Sequence, residues 1–180
     1  EGDYKTAMSV FPTESDYKDS ASLAQECTYL YYTAEYKENG ASEEIARAFC
    51  FLGDFRDSEE MFKTVSYEYG MTCADKGDYA AAAAMFKNAG SYRGAENELN
   101  RARYELGKSL MGPDPASARS VFALLSTYSD SAEQKKAAAS RVADSHENWY
   151  ADGYASVDGY YTTVFSTDDN LTVYCTAGTD

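Results

Sequence analysis

The feature that most constrains this 180-residue chain is that it repeats itself. Gly2-Asp3-Tyr4 leads to Ala7 and Phe11, and Gly77-Asp78-Tyr79 leads to Ala82 and Phe86 at the same offsets. Weaker copies end at Phe49, with Gly40 and Ile45 at the matching places, and at Phe122, with Asp114 and Ala118. Six residues beyond each Phe stands another aromatic: Tyr17, Phe55, Tyr92 and Tyr128. Asp19-Ser20, Asp57-Ser58, Gly94-Ala95 and Asp130-Ser131 follow in the same register, and nine residues later come Tyr29, Tyr67, Tyr104 and Ser140. The four Phe lie 38, 37 and 36 residues apart. A period of this length marks a supersecondary unit that cannot bury its apolar face alone and buries it against its neighbours.

Each unit reads as two helices. Ala7 and Phe11, Ala82 and Phe86, and Ala118 and Phe122 are four apart, so each pair shares one face of a short helix. The Asp upstream of that helix predicts an N-cap. A longer helix is expected to begin near the second aromatic, with stripes Phe55, Phe62, Val65, Tyr69, Thr72 and Tyr92, Ala95, Leu99, Ala102, Leu106 at a 3.6-residue period. Breakers at Asn39-Gly40, Lys76-Gly77 and Gly112-Pro113 end the long helices. Connections this short make neighbouring helices antiparallel. Phe11, Phe49, Phe86 and Phe122 are the expected core pegs, with Ala7, Ala82, Ala118, Gly70 and Gly107 where helices approach closely.

Tyr69-Gly70-x-x-Cys73 followed by Gly77-Asp78-Tyr79-x-x-Ala82-x-x-x-Phe86-x-x-Ala89 resembles the tetratricopeptide repeat (TPR) family. Gly107 repeats the first small position. The resemblance covers roughly residues 1–146, in units of 36–38 residues where the family has about 34. It lacks the family's early Trp and closing Pro. It implies an all-α fold, an α-α superhelical solenoid of TPR-like antiparallel helix pairs.

Residues 147–180 differ. They hold six acids and no Lys or Arg, and they carry two aromatic and β-branched runs, 159–165 and 171–176, around Ser166-Thr167-Asp168-Asp169-Asn170. That pattern predicts a short C-terminal β-hairpin. A lone hairpin is marginal in water. It must pack on the last helix, pair with another chain as in a homodimer, or open a further β domain. The expected organisation is therefore a helical repeat domain over 1–146 and an acidic β-hairpin or linker over 147–180. The chain begins at Glu1 inside a unit, so it reads as an excised piece of a longer protein.

Charge and side-chain chemistry narrow the function. Thirty acidic against 16 basic residues give a net charge of −14, which disfavours nucleic acid and anionic membranes. No apolar run approaches a membrane span. The single His, His146, has no Cys or Ser partner at a recognisable spacing, and no phosphate-loop, GxSxG or HExxH motif occurs. Adjacent acids such as Glu43-Glu44, Glu59-Glu60 and Asp168-Asp169 read as solvated surface. No catalysis, cofactor or metal site is expected. Cys27, on a long-helix stripe, and Cys50, near the end of the following short helix, come close in an antiparallel pair, so a bridge between them is one reading for an extracytoplasmic protein. Buried free thiols are the expected state.

Partner binding remains. Tyr29, Tyr67 and Tyr104 lie two residues before the stripe positions Tyr31, Tyr69 and Leu106, a rotation of about 200°. They share a face with Thr64 and Met71 and with Arg101 and Lys108. Aromatic, Met and Arg enrichment is an interface composition. The family resemblance places this face on the concave groove that holds peptides. The competing reading packs these rings between units with hydroxyls at the rim. The expected function is a non-catalytic scaffold for another protein or peptide. The alternatives are a structural spacer or oligomerisation arm of a larger cell-surface protein, or carbohydrate binding by exposed Tyr. Localisation leans extracytoplasmic on the low Lys count and the Tyr- and Thr-rich tail.

Overall fold

The structure is a computed structural model that describes residues 3–10, 19–151, 160–167 and 170–177, with side chains described over 3–7 and 19–142. Phe11, Tyr17, Asp168, Asp169 and the side chains of His146 and Cys175 lie outside these residues. The described chain is mostly helical. In order it forms α1 (Tyr4–Val10), α2 (Ser20–Asn39), α3 (Glu43–Leu52), α4 (Ser58–Asp75), α5 (Tyr79–Ala89), a 3₁₀ turn (Tyr92–Gly94), α6 (Ala95–Leu110), α7 (Pro115–Ala123) and α8 (Ser131–Ala151). Strands β1 (Tyr160–Thr167) and β2 (Asn170–Ala177) then pair antiparallel, with Val164 opposite Val173. The chain divides into two compact units, Glu1–Ala102 and Arg103–Asp180.

The short helices start where a side chain caps them. Asp3, Asp78 and Asp114 each accept the amide N–H three residues on at 3.0 Å, from Thr6, Ala81 and Ser117. Ser42 does the same for Ile45 at 3.3 Å. The three Asp caps occupy one repeat position, Ser42 lies one residue later in its copy, and each satisfies a donor that the helix itself leaves free.

Phe49, Phe86 and Phe122 each organise a separate core. In the first unit Phe49, fully buried, gathers Ile45, Ala46 and Leu52 of α3 with Val65 of α4 and the rings of Tyr29, Tyr32 and Tyr36 on α2. Phe86 gathers Ala82 and Ala89 of α5 with Cys73 of α4 and Ala95 and Ala102 of α6. In the second unit Phe122 gathers Ala118, Leu125 and Ala138, with Tyr104 and Leu110 of α6 against them. Space for the ring comes from glycine: a Cβ on Gly70 would sit 2.9 Å from Phe86, and one on Gly107 would sit 2.7 Å from Phe122. Ala82 and Ala118 are buried as expected, whereas Ala7 is only half-buried.

The connections between units also repeat at the backbone. The residue four beyond Phe49, Phe86 and Phe122 is left-handed: Gly53 (φ 58°), Gly90 (φ 61°) and Ser126 (φ 52°). So is the residue seven beyond: Arg56 (φ 53°), Arg93 (φ 46°) and Ser129 (φ 51°). The second kink shifts the long helices. They begin at Ser58, Ala95 and Ser131, not at the aromatic, so Phe55 and Tyr92 belong to the connection instead of the helical stripe. The first helical residue is buried in every copy (Ser20, Ser58, Ala95, Ser131), which explains why only Ser or Ala stands there. At the far end α8 continues to Ala151, past the expected stop at Glu147, because the Gly-punctuated segment begins only at Gly153.

Cys27, Cys50 and Cys73 are free thiols. Cys50 is exposed, contrary to the expected burial, because it lies on the solvent side of α3 beside Phe51, which is 84% exposed.

Phe86→Ala is expected to cost about 3–5 kcal/mol, as ring removal leaves a cavity that helices cannot fully close. Gly107→Ala should cost about 1–3 kcal/mol by overpacking, while Gly112→Ala, which meets nothing within 4 Å, stays within about 0.5 kcal/mol of the parent. Chemical denaturation of the three variants checks the order. Ser126→Gly places the residue its two counterparts use at a left-handed site, and a gain of about 0.5–1 kcal/mol is expected, read as a raised melting temperature.

Candidate functional site

The seven residues singled out on the long helices fall into three environments. Tyr29, Tyr67 and Tyr104 are half-buried, each with its ring edge-on to the core Phe of its own repeat. The ring centres lie 6.2 Å apart for Tyr29 and Phe49, 5.8 Å for Tyr67 and Phe86, and 6.0 Å for Tyr104 and Phe122. The other flank of each ring meets the aromatic of the following connection: Phe55 at 6.0 Å, Tyr92 at 5.9 Å and Tyr128 at 5.9 Å. Such tilted contacts place a positive ring edge on a negative ring face, worth about 0.5–1.5 kcal/mol each beyond burial. The face is therefore half packing and half surface. Met71 and Thr64 are half-buried, and Met71 joins the Phe86 core. Arg101 and Lys108 are exposed. Arg101 pairs with Glu98 at 3.0 Å, and Lys108 pairs with Glu105 at 3.1 Å and lies 5.4 Å over the Tyr104 ring. Tyr29 and Tyr67 belong to the first unit and Tyr104 to the second.

Sequence reasoning missed what the Asp does in two of the three Asp-Ser pairs. Asp57 sits at the N-cap position of α4 yet makes no cap bond. Its carboxylate instead accepts the Tyr29 hydroxyl at 2.6 Å. Asp130 likewise accepts the Tyr104 hydroxyl at 2.5 Å and the Gln134 amide at 2.9 Å. The signal was in the register: the Asp and the Tyr each hold a fixed offset from Phe. Nothing in one dimension revealed that the left-handed residue before the Asp swings its carboxylate toward the preceding long helix. The hydrogen bond to Asp57, then burial, raises the Tyr29 pKa, and the bond to Asp130 raises that of Tyr104. Asp130 is held below the usual carboxylate range by Gln134 first and Tyr104 second. The Arg56 guanidinium adds a cation over the Tyr29 ring at 4.8 Å while pairing with Glu26.

A second tyrosine group lies on the same helix, α2. Tyr36 donates to Glu68 at 2.6 Å and Tyr32 to Glu44 at 3.1 Å. Burial, then the Glu68 bond, pushes the Tyr36 pKa up to about 12. Tyr31 and Tyr32, with Glu35, Ser42, Glu44 and Ile45, line a shallow cavity of about 100 Å³, room for a few waters and too small for an organic ligand.

Among the described residues no cluster of three or more His, Cys, Asp or Glu is disposed to hold a metal ion, and no helix is long and apolar enough to cross a membrane. Comparison of the chain with protein-family models, curated proteins and solved structures finds no match.

Because the folded Tyr36 pKa lies above its ordinary 10, the neutral phenol is the form that folding favours. Its stabilising contribution is full below pH 10 and disappears as pH rises through about 12. Tyr36→Phe should flatten the alkaline fall in stability over that interval and remove one late-titrating phenolate from the ultraviolet absorbance titration.

Proposed function

We propose that this chain is a non-catalytic helical-repeat scaffold, a TPR-like solenoid of antiparallel helix pairs, that holds a segment of another protein along the face of its long helices. The observation that supports this reading is the recurrence, at one repeat position, of a half-buried tyrosine whose ring is fixed on both flanks. A rigid aromatic loses little entropy when a partner covers its free side. Exposed Arg101 and Lys108 add cationic contacts to a chain that is otherwise strongly acidic. The exposed ring surface is also the part a carbohydrate would need.

A second reading has its own support. The Tyr29 and Tyr104 hydroxyls are already consumed inside the protein, which suits a structural spacer whose rings stiffen the joints. In that role the C-terminal segment, as a β-hairpin, joins the arm to a second copy or to a further domain.

Selection of a displayed peptide library against the chain separates the two. The scaffold reading expects enriched peptides whose binding shifts amide resonances around Tyr29, Tyr67 and Tyr104. Arg101→Gln with Lys108→Gln should weaken them about tenfold, the scale of two exposed ionic contacts, with unfolding within about 1 kcal/mol of the parent. Selection of no peptide, or mapping to α3, α5 and α7, supports the spacer.

A further inference from the structure

One of the three tyrosine joints is incomplete. The Tyr67 ring has the same two aromatic neighbours as Tyr29 and Tyr104, at nearly the same distances. Where those two hydroxyls find Asp57 and Asp130, the matching residue here is Gly94. Among the described residues the Tyr67 hydroxyl has no hydrogen-bond partner. A side chain built on Gly94 would meet open space, its nearest neighbour being the amide nitrogen of Asn97 at 3.9 Å. Gly94 also has φ +77°, against −101° at Asp57. A left-handed backbone there disfavours any L side chain, so the chain cannot readily supply the missing acid itself.

The surroundings suit an anion from outside. Arg93 is exposed, 5.2 Å over the Tyr92 ring, and no acid of the described residues lies within ion-pair distance of it. The nearby Glu68 is engaged by Tyr36. The Asn97 amide lies beside Gly94, Arg93 lies over the neighbouring Tyr92 ring, and the Tyr67 ring packs on that same Tyr92 at 5.9 Å. Asp130 is held by the same kinds of neutral donor, a tyrosine hydroxyl and a side-chain amide.

We propose that the gap above Gly94 is a carboxylate subsite, in which an Asp or Glu side chain of a bound segment accepts from Tyr67 and Asn97 and pairs with Arg93. It takes from the scaffold reading only the source of the carboxylate. Charge-assisted bonds of this kind, in a site already shaped by two aromatic contacts, supply specificity more than raw affinity.

The probe is N-acetyl-aspartate methylamide, an isolated Asp residue, titrated into the isotope-labelled chain and read by NMR, with the asparagine analogue and inorganic phosphate as comparisons. Saturable millimolar binding is expected, shifting the Asn97 side-chain amide and the Gly94 backbone amide. The asparagine analogue should give no saturable shift. Tyr67→Phe keeps the ring and the fold and should weaken binding about tenfold; Tyr104→Phe should leave it unchanged. No saturable shift, an equal response to the asparagine analogue, tighter binding of phosphate, or indifference to Tyr67→Phe each overturns the subsite. Binding of the probe with no peptide selected overturns the scaffold reading and leaves the subsite standing.

Discussion

The described helical core depends on one contact made three times: a phenylalanine ring on a short helix pressed onto its neighbours until its relative exposure falls to 1% or less. Such a ring needs close approach, and at Phe86 and Phe122 close approach means a residue without a side chain, supplied by Gly70 and Gly107. It also needs small residues one turn away, supplied by Ala82 and Ala118. The tyrosine of the preceding long helix then closes the remaining side with its ring edge. Big ring, bare backbone, small residue and tilted second ring form one packing unit, and each member limits what the others can be.

The joints between units follow from the same geometry. A helix carrying the peg must end soon after it, and the chain must reverse within a few residues. Two left-handed residues per connection accomplish this, glycine at the first in two copies and Arg or Ser at the second. A non-glycine residue in that conformation costs about 1 kcal/mol. What the cost accompanies is orientation. The second kink puts the next aromatic against the long-helix tyrosine and aims Asp57 and Asp130 at its hydroxyl. Gly94 breaks this pattern while keeping the aromatic contacts, so ring packing and the hydrogen bond are separable features of the joint.

Electrostatics act locally more than globally in this chain. A net charge of −14 sets solubility and repels polyanions. Yet individual carboxylates have specific work: capping short helices at Asp3, Asp78 and Asp114, and holding phenols at Asp57, Glu68 and Asp130. Burial together with these bonds raises the pKa of Tyr29 and pushes that of Tyr36 up to about 12. The cations are few, 16 Lys and Arg against 30 acids.

The helix pairs, the pegs at Phe49, Phe86 and Phe122, the Asp caps and the close-approach glycines were legible in the sequence, because each rests on local spacing or on the size of one side chain. Residues four apart share a helix face whatever else the fold does, and the buried position one turn before the Phe is Ala at Ala82 and Ala118 and Ile at Ile45. The tertiary structure decided what depends on direction. Two left-handed residues start the long helices late, remove Phe55 and Tyr92 from the stripe, and turn Asp57 from a cap into the partner of Tyr29. Backbone handedness at Arg56 or Arg93 is not written in residue type, since Arg is at home in any conformation but rarely this one. It emerges only when the packing of two rings across a short connection leaves no other path.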